Sequence, residues 1–183
     1  MAPLGLLAAF AAGCGNERAS PPELGRPDRP TGYQTFVSPD GAVSFNHPSN
    51  WGVAAGEGPE VARLYSGTAL AAVYAYPRTD LPTGRAAVED SRRRLLASLR
   101  RRAPSFSLIG SHLTEVDGAP AVVVDGGGEI GGHLVVERTI HVYKPGIEFV
   151  IDAYAAPLSF SLAERWGFRP LLRTIDLDRA SGT

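Results

Sequence analysis

Two-residue turn signals set between strand-like runs constrain this chain more than any other feature. Asp117-Gly118 separates Phe106–Val116 from Ala119–Asp125, and Pro145-Gly146 separates Leu134–Tyr143 from Ile147–Tyr154. Glycine in such pairs takes positive φ without steric cost, which favours a tight reversal. Strands joined by so short a link run antiparallel, because a parallel crossover needs about a dozen residues or more. The upstream part of the chain repeats the pattern. Tyr33–Val37 and Ala42–Asn46 flank Ser38-Pro39-Asp40-Gly41, and His47–Gly52 reads as a turn closed by Trp51. Val61–Ser66 and Leu70–Tyr76 are two further strand runs, and Gly126–Gly132 reads as a loose glycine loop.

Pro77–Pro82 breaks the alternation and a helix is expected to follow, with Thr83 as N-cap. Val88, Leu95 and Leu99 mark one helical face, with Leu96 beside it. Pro104 sets its end, after Arg100, Arg101 and Arg102 at the negative pole of the helix dipole. A last helical stretch is expected from Ser159, interrupted near Pro170, with Leu162, Trp166, Leu171, Leu172 and Ile175 as its apolar set. Strands, one helix, four strands and a final helix make an α+β layout in which helices cover an antiparallel β-sheet. One domain over residues 33–179 accounts for all of it.

Several of these segments resemble the PsbP-like fold, shared by the extrinsic photosystem II protein, the Ran-binding Mog-type proteins and many small bacterial lipoproteins. Phe45-Asn46-His47-Pro48-Ser49-Asn50-Trp51 is similar to its early strand, proline, turn and tryptophan signature. Asp117-Gly118-Ala119-Pro120-Ala121 resembles its mid-chain turn, and Arg138–Tyr143 with Phe149-Val150-Ile151 resembles its last hairpin. Phe168–Ile175 is similar to its closing segment. The resemblance implies an α/β/α sandwich and no particular reaction, since that fold has no shared catalytic residues.

Ahead of the domain, Leu4–Gly13 is an apolar run that ends at Cys14, the chain's one cysteine. Such a run suits a secretory signal and is too short for a bilayer core of about 30 Å. Ala11-Ala12-Gly13-Cys14 resembles the bacterial lipobox, with Ala11 where leucine is usual and no Lys or Arg before the run. Residues 1–14 are therefore expected to be a lipoprotein signal peptide, and Cys14 the site of lipidation. Plain export and a frayed apolar terminus are the alternatives. Residues 15–32, with Pro21, Pro22, Pro27 and Pro30, read as a proline-rich disordered linker. The expectation is an exported domain, lipid-anchored on the outer side of the cell membrane. Beyond Cys14 there are no thiols, so the domain has no disulfide and depends on its core. A net charge of −1 argues against nucleic acid as a partner.

Candidate chemistry is sparse. Gly126–Gly131 fits the spacing G-x-G-x-x-G, but Leu134–Arg138 after it is a strand pattern, so the helix that would meet a pyrophosphate is absent. No cofactor is expected. His133, Glu137 and His141 lie four residues apart along one strand, about 13 Å per step, beyond the reach of one metal ion. With Pro145-Gly146 as a two-residue turn, Lys144, Val142 and Ile140 pair with Ile147, Phe149 and Ile151 on the core face. The opposite face then sets His141 against Val150, Thr139 against Asp152 and Glu137 against Tyr154. His141 and Asp152 are diagonal neighbours, about 7–8 Å apart at the backbone. With Glu137 and Tyr154 they form a ligand-binding set, acid–base machinery of a hydrolase type, a partly solvated sheet face, or polar groups that meet a covering helix.

Arg92, Arg93, Arg94, Arg100, Arg101 and Arg102 put six arginines on the first helix. They form either a patch for a protein partner or an anionic envelope component, or a solvated face partly neutralised by Glu89 and Asp90. Trp51 and Trp166 are expected in the core. The expected function is that of a membrane-tethered, non-catalytic binding domain. A hydrolase on the His141/Asp152 face and a structural subunit of an envelope assembly are the competing readings.

Overall fold

The computed structural model describes residues 25–102 and 105–177, the side chain of Arg102 excepted. The strands before the first helix are β1 (Tyr33–Val37), β2 (Val43–Pro48), β3 (Gly52–Ala55), β4 (Glu60–Ser66) and β5 (Ala69–Pro77). The helix α1 (Gly84–Arg102) leads to β6 (Ser107–Val116), β7 (Ala119–Ile130), β8 (His133–Lys144) and β9 (Ile147–Ala155). The chain then runs through α2 (Phe160–Ala163), a π-helical turn (Glu164–Phe168), α3 (Arg169–Thr174) and β10 (Asp176–Leu177).

Seven strands form one sheet in the order β3-β4-β5-β9-β8-β7-β6, every neighbouring pair antiparallel. The turns behave as their residues dictate. Asp117 and Gly118 both take positive φ, 49° and 68°, while at Pro145-Gly146 only the glycine does, at 84°. Register in the last hairpin follows from that turn: Lys144 opposes Ile147, Ile140 opposes Ile151 and Glu137 opposes Tyr154. β1, β2 and β10 make a separate three-stranded sheet.

Alternation along the strands gives the large sheet two different faces. Leu64, Val73, Ile140, Phe149 and Ile151 point to one of them, where Phe45, Trp51, Phe168 and Leu171 of the small sheet and the terminal helices cover them. Each such side chain contributes about 1.5–3 kcal/mol by leaving water. Among the described residues, α1 is the helix on the second face. Val88, Leu95, Leu96 and Leu99 pack on Val122 and Val124 of β7 and on Leu113 of β6. The result is an α/β/α sandwich with an α+β strand order. A helix of 19 residues is about 28 Å long, too narrow to cover seven strands. Among the described residues no helix covers the half of the face made by β8, β9, β5 and β4, and the site lies there.

Four local readings of the sequence change. Gly126–Ile130 is not a loose loop but the end of β7, paired with His133–Glu137, and only Gly131-Gly132 turns. Glycine is needed at Gly126 because a Cβ there would stand 2.2 Å from the Phe106 ring. β3 was unreadable because Gly52, Ala54 and Ala55 carry little strand signal. Pro170 does not interrupt the last helix; it sits in the first turn of α3, where its missing N–H costs nothing, and the irregularity is the π turn before it.

The fourth concerns the linker. Its C-terminal part, Gly25–Thr31, lies along the domain rather than apart from it. The Trp51 Nε1–H donates to the Asp28 carbonyl at 2.8 Å, Asp28 N–H donates to Ser66 Oγ at 2.9 Å, and Pro27 is buried. Residues 1–24, with Cys14 and the expected signal peptide and first part of the expected linker, lie outside the described residues. Among the described residues no helix is long and apolar enough to cross a membrane.

Candidate functional site

β8 and β9 form the floor of a groove of about 650 Å³ on the half of the sheet that α1 leaves uncovered. Period-two alternation sends Glu137, Thr139 and His141 of β8 and Glu148, Val150 and Asp152 of β9 to that side. β5 adds Tyr76, with Arg78 just beyond the strand. Leu95 and Leu99 of α1 and Phe106 after it form an apolar wall. The groove is thus acidic along its floor and greasy along one side.

The polar groups are linked in a definite order. His141 Nδ1 lies 2.7 Å from Glu148 Oε1, a partner the sequence reading did not name beside Asp152. Asp152 and Glu148 are the two diagonal neighbours of His141, and glutamate reaches one methylene further. Arg78 donates from Nε to the other oxygen of Glu148 at 3.3 Å, and its guanidinium carbon lies 5.8 Å from the Tyr76 ring centre. The Tyr76 ring stacks on Tyr74, centres 6.2 Å apart and planes 16° off parallel. The Thr139 hydroxyl donates to Glu137 Oε1 at 3.2 Å.

Two carboxylates of the floor are pushed in opposite directions. The hydrogen bond from His141 is the main reason Glu148 titrates below the usual range, with Arg78 adding to it against the effect of burial. Burial and then the negative charge of Asp152 push Glu137 up, against the Thr139 hydrogen bond. Burial also raises Tyr74 and Tyr154 on the same face.

The shift at Glu137 carries a sign that can be tested. A carboxyl with a raised folded-state pKa holds its proton in the fold after the unfolded chain has lost it. Stability contributed by the group therefore falls as pH rises from the ordinary carboxylate range through the folded value. Glu137→Gln keeps the shape and the acceptor for Thr139 without the charge. It is expected to raise the melting temperature at pH 7 by about 2–4 °C, the effect of roughly 1 kcal/mol in a domain of this size. The gain should vanish near pH 4, and a scan of melting temperature against pH for both proteins checks it.

The sequence brought His141, Asp152, Glu137 and Tyr154 to one face, and they are there; Glu137, His141 and Asp152 line the groove. Glu148 was missed although it lies on the same alternation as Asp152. Tyr76 and Arg78 were missed because no turn joins β5 to β9, so their pairing leaves no local trace. Thr139 and His141 are not set as a nucleophile and its base. They are two residues apart on one strand, about 6.5 Å at the backbone, and the Thr139 hydroxyl faces Glu137.

The described arginines of α1 differ in their surroundings. Arg92 lies on the sheet side, where it meets Glu89 and donates to Ser111 Oγ of β6 at 2.6 Å. Arg93 bonds Asp90, and Arg94 bonds Ser91 Oγ at 2.9 Å. Arg93, Arg100 and Arg101 are exposed, Arg94 is exposed beside Asp80 and His141, and the side chain of Arg102 lies outside the described residues. Among the described residues no group of three or more potential ligands is placed to hold a metal ion. Trp51 is buried and Trp166 packs partly buried against the same core.

No family model and no curated protein matches the sequence. Solved structures do. Cyanobacterial PsbP (CyanoP) from Synechocystis sp. PCC 6803 is similar over 79% of this chain and 92% of its own, at 11% identity and a TM-score of 0.58. The Ran-binding protein Mog1p of Saccharomyces cerevisiae matches over 80% and 95%, at 9% identity and a TM-score of 0.52. LpqN of Mycobacterium tuberculosis, involved in cell envelope biogenesis, matches over 79% and 89%, at 13% identity and a TM-score of 0.51. The chain therefore has the PsbP/Mog-type fold.

Proposed function

We propose that this chain is a lipid-anchored domain on the outer side of the cell membrane that binds its ligand in the groove beside α1 and carries out no reaction on it. The observation that carries the binding role is the groove itself, about 650 Å³ with an apolar wall and a polar floor. Its hydrogen bonds favour binding over hydrolysis, because His141 Nδ1 is engaged by Glu148 and the Thr139 hydroxyl is turned to Glu137. The lipobox-like sequence at Cys14 supports the anchor. Neighbours in structure include a Ran-binding protein and a protein of cell envelope biogenesis, which fits a fold used for recognition. The exposed arginines of α1 are the surface that would meet an anionic envelope component.

Two measurements test the two halves. Growth of the expressing cells with a clickable fatty acid should label the wild type and leave Cys14→Ser unlabelled; equal labelling of both removes the anchor. Val150, 8% exposed at the centre of the groove floor, can be changed to tryptophan to fill the space. Native mass spectrometry of protein purified from its own membranes should show a bound mass on wild type that Val150→Trp lacks. A bound mass that survives the change places the ligand elsewhere.

A further inference from the structure

The chain enters the domain at one end of the large sheet. Gly25 is held there by Thr68, whose N–H donates to the Gly25 carbonyl at 3.1 Å and whose Oγ1 donates to it at 2.5 Å. Thr68 Oγ1 in turn accepts from the Ala156 N–H at 3.4 Å, two residues before Leu158. The ends of several strands meet at this level. Tyr65 of β4 opposes Leu70 of β5, Leu70 opposes Tyr154, Val136 opposes Ala155, and Gly127 opposes both Val136 and Ser107. β7 and β8 run on past that line, so residues 128–135 project as a two-stranded hairpin beyond the ends of β6 and β9.

Exposed apolar side chains gather at the same end. Leu158 is 90% exposed, Leu134 69%, Ile109 68% and Ile130 47%. Ile130 and Leu134 lie on the projecting hairpin, Ile109 in the bulge near the start of β6, and Leu158 in the turn after β9. Single exposed residues of this kind are ordinary, but a group of them at one end marks an interaction surface. α1 finishes at this level too, because Ser105 and Phe106, which follow it, pack against Gly128. Arg100 and Arg101 near its end are exposed, and Glu129 is the acidic group of the hairpin tip. The opposite end is built of polar turns, where Lys144 meets Asp117 and the Leu177 carbonyl. Val37 lies toward that end, across from Ser44, which also pairs with Asp176.

Chain length decides which end faces lipid. The ten residues between Cys14 and Gly25 reach at most about 40 Å when fully extended. β8, with 12 residues, is itself about 40 Å long. Bringing the opposite end to a bilayer would use the whole reach of the tether to pass the sheet, whereas this end needs almost none of it. We propose that the anchored domain rests on the lipid surface through this end. Leu158, Leu134 and Ile130 sit at the boundary of headgroups and acyl chains, and Arg100 and Arg101 lie among the phosphates. This rests on the anchor at Cys14. An apolar surface in that boundary sinks about 5–10 Å, and cations beside it are drawn to anionic lipid. In this pose the end of the groove at Phe106 and Glu137 faces the bilayer, and the end at Arg78 faces away.

The test uses protein purified from the membranes of its own cells and reconstituted in vesicles of phosphatidylcholine and phosphatidylglycerol. Tryptophan is placed at Leu158, at Leu134 or, as the far-end control, at Val37, and emission is compared between plain and brominated acyl chains. The wild type supplies the background of Trp51 and Trp166. Leu158→Trp and Leu134→Trp should be quenched about twofold or more beyond the wild type, at the depth of an interfacial apolar group. Val37→Trp should match the wild type. Arg100→Glu with Arg101→Glu should reduce the quenching of Leu158→Trp, and an unchanged value overturns the arginine contact. Equal quenching at Leu158 and Val37, or none at either, overturns the pose. If quenching is absent and Leu158→Trp emission shifts to the blue as protein concentration rises, this end belongs to a second copy of the chain and the lipid contact is overturned. The fatty-acid label reads the anchor separately. Label without the quenching pattern overturns the pose alone, and no label on the wild type removes anchor and pose together.

Discussion

Trp51→Ala is expected to lower the free energy of unfolding by about 3–5 kcal/mol, the largest effect of any single change considered. The indole is 4% exposed and fills the space between the start of β3 and the π turn. Its ring packs so closely on Gly167 that a Cβ there would stand 2.2 Å from Cζ3. Its N–H also fixes the Gly25–Thr31 segment through the Asp28 carbonyl. Alanine removes all three contacts and leaves a cavity that the flanking backbone cannot fill. Trp51→Phe separates packing from hydrogen bonding, and should cost about 1–2 kcal/mol through the unmet carbonyl and the smaller ring. Urea denaturation with an unchanged slope checks both values. A loss below 1 kcal/mol for Trp51→Ala would show that Trp51 does not join these layers.

Arg138→Met should cost about 2–3 kcal/mol. Arg138 extends from β8 to the helical layer, donating to Asp125 Oδ1 at 2.7 Å and meeting Glu164 Oε1 at 3.0 Å. It is 25% exposed, with its partners at 22% and 17%, so its removal leaves two carboxylates in a poorly hydrated place. Glu164 is the more dependent of the two, because its Oε2 is buried with no hydrogen-bond partner among the described residues. Arg169 is nearby at 3.6 Å and takes up part of the loss. The value therefore falls below the 3–5 kcal/mol typical of a fully buried pair. In a double-mutant cycle Arg138→Met and Glu164→Gln should be non-additive by about 1–2 kcal/mol. Additive losses would mean that the pair does not join sheet to helix.

Much of the fold was legible because its signals are local. Asp117-Gly118 and Pro145-Gly146 fixed both hairpins, and the register of the second followed to the residue, which put Glu137, His141 and Asp152 on one face. Pairings without a connecting turn were not legible. β5 lies beside β9 and β10 beside β2 through long-range contacts, so Tyr76 and Arg78 could not be placed in the groove from sequence. Gly126–Ile130 misled because glycines signal loops, whereas here Gly126 makes room for Phe106 within a strand. His141 shows the limit of register. It fixes two diagonal neighbours, Glu148 and Asp152, but not the 2.7 Å contact with Glu148, which depends on side-chain reach. Within the arginine run, 3.6-residue periodicity turns Arg92 toward Ser111 of the sheet and leaves Arg93, Arg100 and Arg101 exposed.

The central claim is that the open half of the large sheet, next to α1, holds the ligand. Two-dimensional NMR of the labelled domain, titrated with the small-molecule fraction released from protein purified out of its own membranes, tests it most directly. The amides of Thr139, His141, Val150 and Asp152 should shift together and saturably. Shifts confined to β1, β2 and β10, or none above those caused by the same fraction from Val150→Trp, would contradict the account.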